Sequence, residues 1–245
     1  MKPARRLLPV AAFTGAYLAV ALVGAVTSGN AEFVFYIAVM AVLITVVWAV
    51  DRSVKLSPGA LWGLSLWGLA HMVGGLVAAP AAWPTAVADQ AVMYNVWIIP
   101  ERVKYDHVVH AWGFGMTTWV CWQGVAAALR RRGAEARPTG GLLVLCAAAG
   151  MGFGALNEVI EFAATLLVPE TNVGGYLNTG WDLVANLVGA VTAVTVIALA
   201  GRRAAPAAAH PGSPPSGRPP PPPGSAPVPA GPRTPAPTAA AAGEP

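Results

Sequence analysis

Apolar runs of about 20 residues, the length a helix needs to cross a bilayer core, recur along this chain at 7–27, 33–50, 59–79, 105–129, 142–168 and 179–200. Short polar or Pro- and Gly-containing breaks separate them. None alternates with period two, which argues against a β-barrel. The pattern therefore predicts an all-α fold: a polytopic membrane bundle of six transmembrane helices. Lys2, Arg5 and Arg6 precede the first run as they would in a secretory signal, but its length and the hairpin partner that follows at once predict a retained helix.

The composition agrees. The 245 residues are 56% hydrophobic and 11% charged, with a mean hydropathy of +0.57; a soluble domain carries roughly 25% charged residues. With the N-terminus cytoplasmic, thirteen of the fifteen Lys and Arg fall in inside segments, and only Arg102 and Lys104 lie outside. This bias predicts that both termini are cytoplasmic. The net charge of +4 then reflects topology, and no nucleic-acid partner is expected even for the Arg130–Arg132 run. From Ala204 onward fifteen of the 23 prolines accumulate among Ala, Gly and Ser. Such a sequence cannot bury a core, so residues 1–203 read as the membrane domain and 204–245 as a disordered Pro/Ala-rich cytoplasmic tail with no evident partner. Its bias suggests a GC-rich bacterial source and hence a multi-pass protein of a bacterial plasma membrane. Cys121 and Cys146 match no disulfide or zinc-knuckle spacing and are expected as free thiols.

The connection from Pro80 to Pro100 is the longest between runs and contains Trp83, Tyr94 and Trp97, which favour the membrane interface. It reads as a segment lying along the outer surface. Pro100 suits the first turn of the helix that follows.

Ionisable groups inside apolar runs are costly and mark sites by default. "YDHVVH" places Tyr105, Asp106, His107 and His110 at the start of the fourth run. "NEVIEF" places Asn157, Glu158 and Glu161 in the fifth, and "WDLVAN" places Asp182 and Asn186 in the sixth. With the alternating topology these share one depth near the external face. Spacings of three and four put each set on one helical face, so the three faces are expected to look at one another. His71, in the third run, is either a fourth contributor or a hydrogen-bonded packing residue.

Two histidines and several carboxylates suit a divalent transition metal such as zinc, manganese or iron. The expected ligands are His107, His110, Asp106 and Asp182, with Glu158 or Glu161 as general base and His71, Asn157, Asn186 and Tyr105 in support. A metal would also compensate carboxylates held in low dielectric. One reading is metal-dependent hydrolysis or transfer on a lipid or envelope-precursor headgroup. Others are transport of an ion, proton or small solute, a non-catalytic assembly protein, and a purely structural polar network.

The same residues carry a likeness. Tyr-Asp-x-x-x-His, Asn-Glu-x-x-Glu and Trp-Asp-x-x-x-Asn-x-x-Gly-Ala, spread over residues 60 to 200, resemble the YjdF-like family of bacterial inner-membrane proteins. The last three runs look more loosely like the VanZ-like family. The resemblance implies an integral membrane protein with no established biochemical role.

Overall fold

The computed structural model describes residues 3–87 and 91–204. The expected tail falls outside them. Six α-helices account for most of the described chain: α1 Pro3–Thr27, α2 Ala31–Val54, α3 Pro58–Leu76, α4 Tyr105–Arg131, α5 Gly140–Leu167 and α6 Tyr176–Ala204. Local chemistry sets their ends. Asn30, Ser57 and Thr139 cap α2, α3 and α5 by accepting from the backbone N–H groups of Phe33, Ala60 and Leu142. Gly133 follows α4 with φ of 72°, where a side chain would be strained.

The distribution of side chains is that of a membrane protein. Val20, Leu145 and Leu166 are 74%, 65% and 70% exposed, whereas Asp182 and Asn186 are fully buried. Water would drive the opposite sorting; lipid tolerates the apolar exterior and leaves polar groups and close backbone contact to hold the interior. By length and composition α1, α2, α5 and α6 are long and apolar enough to cross a membrane.

Helix α4 is central. It packs most extensively on α6, then on α5 and α3, while α1 lies against α3 and α2. The α4–α6 crossing is tight because glycine faces backbone: a Cβ at Gly189 would overlap the carbonyl of Ala111, and one at Gly115 would stand 3.1 Å from the Gly189 oxygen. At the end of the bundle where α1 and α2 begin and end, respectively, an ion pair pins the α2–α3 turn. The Arg6 guanidinium donates to both Asp51 carboxylate oxygens and to the Leu56 carbonyl, and Asp51 accepts in turn from the Leu56 N–H. Gln123 of α4 exchanges two hydrogen bonds with Ser57 at the same end.

The connection between α3 and α4 has structure of its own and departs from expectation at Pro100. Its described residues, 78–87 and 91–104, are folded into a cap. It has bridges from Ala78 to Val92 and from Thr85 to Val96, a 3-10 turn at Met93–Asn95, and a small antiparallel pair, β1 Trp97–Ile99 with β2 Val103–Lys104. Pro100 therefore belongs to the β1–β2 turn and not to the first turn of α4, which begins at Tyr105. The reversal is completed by Glu101, which adopts a left-handed φ of 58°. Of the interface aromatics only Trp83 is exposed; the Tyr94 ring seats against Gly74, where any Cβ would collide with it.

Candidate functional site

The side chains expected to converge do so around His110. From its position on α4 its Nε2 stands 3.6 Å from Asp106 Oδ1, one turn earlier, and 3.9 Å from Glu161 Oε1 of α5. Its Nδ1 lies 3.7 Å from Glu158 Oε1 and 3.1 Å from Asn186 Oδ1 of α6. Asn186 reaches it because Gly154 leaves room: a Cβ there would stand 2.7 Å from Asn186 Nδ2. Asn157 Nδ2 donates to Glu161 Oε1 at 2.7 Å and fixes that carboxylate.

With the Nδ1–H donated to Asn186, the Nε2 lone pair faces the carboxylates, the arrangement in which a histidine binds a metal with its other nitrogen oriented by a partner. His110 belongs to two sets whose ligand atoms lie within 4.8 Å of one another, Asp106–His110–Asp182 and His110–Glu158–Glu161. The first is buried throughout. Several buried atoms have no hydrogen-bond partner among the described residues: both Glu158 oxygens, Asp182 Oδ1, Asn186 Nδ2 and His107 Nε2. Orphaned polar atoms of this kind are costly unless something else meets them.

A second layer comes from residues that helical periodicity does not single out. Lys104, the last residue before α4, lies 3.5 Å from Asp106 Oδ2 and donates to Asn178 Oδ1; Asn178 Nδ2 donates to Asp182 Oδ2 at 2.5 Å. This chain ties the start of α4 to the start of α6. Glu32, 3% exposed, accepts from the backbone N–H and the Nδ2 of Asn172, both at 2.9 Å. A carboxylate in the first turn of an apolar helix, "NAEF", was the signal for Glu32; nothing in the pattern marks Lys104 or Asn178.

Three expected residues stand apart from the ligand sets. His107 accepts from the Lys104 N–H at Nδ1, and its ring lies 6.2 Å from that of Trp181. Tyr105 donates to the Ala70 carbonyl, 3.0 Å away, and so joins α4 to α3. His71 Nδ1 is 2.6 Å from the Tyr94 hydroxyl, which also reaches the His71 carbonyl at 2.9 Å. Both contacts are satisfied when Nδ1–H donates to the phenol oxygen and the phenol proton goes to the carbonyl. Burial, reinforced by the charges of Asp106 and Glu161, holds the Tyr94 phenol well above its ordinary pKa of 10.0, so that proton stays in place.

Above the cluster opens a cavity of about 520 Å³. Asp106, His107, Glu161 and His71 line it from the helices, Trp97, Arg102 and Lys104 from the cap, Asn172 and Val173 from the connection into α6, and Leu177 and Asn178 from the first turn of α6. The volume falls in the range of small-molecule sites, roughly 300–1,000 Å³.

No curated protein and no solved structure is significantly similar to this chain. A family model matches it over residues 9–203, a stretch that contains every side chain of the site. The chain belongs to the membrane-protein family of unknown function described as "Predicted membrane protein (DUF2238)".

Proposed function

We propose that all six helices span a bacterial plasma membrane with both termini cytoplasmic, and that the buried cluster holds a divalent transition metal serving hydrolysis or transfer on a lipid or envelope-precursor headgroup. The likeness to YjdF-like proteins accords with this setting. Asp106, His110 and Asp182 are the ligands, and His107 is left out because it stands away from them. One observation carries the reading: four carboxylates (Asp106, Glu158, Glu161 and Asp182) gather about the His110 imidazole, and among the described residues one ammonium, Lys104, pairs with one of them, Asp106, with oxygens on two of the four unmet. Such an excess of buried negative charge calls for a cation. A metal would supply Lewis acidity at the floor of the cavity. Glu161, held by Asn157, takes the proton from attacking water, and Lys104 with Asn178 keeps Asp182 in place.

Elemental analysis of the purified, detergent-extracted protein tests this. About one equivalent of zinc, manganese or iron is expected, lost in His110→Ala and Asp182→Asn but kept in Glu161→Gln. A folded protein without metal after extraction, and unable to take any up on dialysis, would discard the reading.

A further inference from the structure

The cavity is far larger than a metal ion needs, and its lining has a chemical bias of its own. Lys104 is committed to Asp106 and Asn178, and Glu101 and Arg102 are exposed at the rim. That leaves Glu32 and Glu161 as lining carboxylates with no Lys or Arg partner among the described residues. Glu32 is buried and oriented by two donors from Asn172, and Glu161 by one from Asn157.

Between them the wall is aromatic. The His71 ring lies 5.6 Å from Tyr36 at 71° and 5.5 Å from Tyr94 at 66°, and all three rings line the cavity with both carboxylates. Phe33, fully buried behind them, meets Tyr36 edge-on at 5.5 Å and fixes its ring. Tyr36, His71 and Glu161 also line a recess of about 30 Å³ behind the main space. Aromatic rings beside carboxylates are the chemistry that selects an organic cation over a hydrated inorganic one: ring faces attract a diffuse positive charge, and a carboxylate supplies the counter-charge. His107, buried at the same cavity with Nε2 unpartnered, offers one further polar contact to whatever the cation carries.

We infer that the cavity is a binding site for an organic ammonium group, primary or quaternary, held against Glu32, Tyr36 and Tyr94. As a binding site it stands independently of the metal; as the substrate site it rests on the function proposed above, whose headgroup would then bear an amine. The amine has two sources, a free small molecule or a lipid headgroup.

Calorimetric titration of the full-length protein in detergent with ethanolamine, choline and tetramethylammonium tests the site directly. Nanodiscs of phosphatidylethanolamine against phosphatidylglycerol, with the soluble amines as competitors, separate the sources. Saturable binding is expected for the amines in at least one form, none for potassium at equal ionic strength, and a weakening of about tenfold or more in Glu32→Gln and Tyr36→Leu. A far-ultraviolet circular dichroism spectrum that stays helical in Glu32→Gln and Tyr36→Leu controls for misfolding. The same titrations on chelator-stripped protein keep the two readings apart, since loss of metal leaves amine binding intact. Absence of saturable amine binding in both formats, or equal affinity in wild type, Glu32→Gln and Tyr36→Leu, would overturn the inference.

Discussion

The contact between Asn186 and His110 is small in energy and large in consequence. An imidazole presents a lone pair at only one nitrogen when neutral, and Asn186 Oδ1, 3.1 Å from Nδ1, selects which one. Replacing Asn186 with Ala removes that selection while keeping all three proposed ligands, and outer partners of metal-bound histidines are typically worth about 10–100-fold in metal affinity. Asn186→Ala should therefore bind zinc weaker by that factor, read by competition with a chromophoric chelator, while the far-ultraviolet circular dichroism stays helical. Unchanged affinity would mean the tautomer is set elsewhere. Much of this residue-level picture was legible in the sequence because helical spacing is a physical ruler. Asp106 and His110, and Asp182 and Asn186, are four apart and do share one face toward the cluster. His107, three before His110, was expected beside it and instead folds back to cap its own helix through the Lys104 N–H. Lys104 and Asn172 come from connections, where no period constrains direction; Asn178 lies in the first turn of α6, ahead of the run predicted from residue 179, and Glu32 joins them only through the tertiary approach of α2 to the connection into α6.

At the level of elements, the α4–α6 crossing places Asp106 and His110 against Asp182 and Asn186, and it depends on glycine. Gly189 stands so close to the Ala111 backbone that any side chain must part the helices. Overfilling a close contact costs about 1–3 kcal/mol, and here the strain falls one turn from the site. Gly189→Leu is expected to lower the thermal midpoint in detergent by an amount corresponding to that range and to reduce metal retention with it. A Cβ at Gly124 would meet nothing within 4 Å, so Gly124→Ala should be neutral, or stabilising by up to about 1 kcal/mol. Equal effects of the two substitutions would remove close approach as the cause. Helix extents were legible to within a few residues, because a membrane helix is a long uninterrupted signal. The cap over the site was not. Its bridges join residues up to fourteen apart, such as Ala78 and Val92, and a Pro before a polar run reads equally well as a helix start or as the hairpin turn it occupies.

For the whole molecule, direction across the membrane decides what reaches the site. The described ends of the bundle differ in charge. Arg6, Arg52, Arg130, Arg131, Arg132, Arg137, Arg202 and Arg203 gather toward one, while the other, which carries the cavity, has Arg102 and Lys104. The proposed orientation, with both termini and the Lys- and Arg-rich connections in the cytoplasm, would turn the cavity toward the exterior. Substituting Cys121→Ala and Cys146→Ala removes the two native thiols and leaves a background for single-cysteine labelling. In intact cells a membrane-impermeant maleimide should label Ala82→Cys, exposed in the cap, and should label Ala134→Cys, exposed between α4 and α5, only after permeabilisation. The reverse pattern would place the cavity in the cytoplasm. An envelope precursor beyond the outer leaflet would then be out of reach, although the metal and ammonium contacts would be unaltered. Labelling of both positions in intact cells would mean that α4 does not cross at all, and a site built on its first two turns would have to lie at one surface.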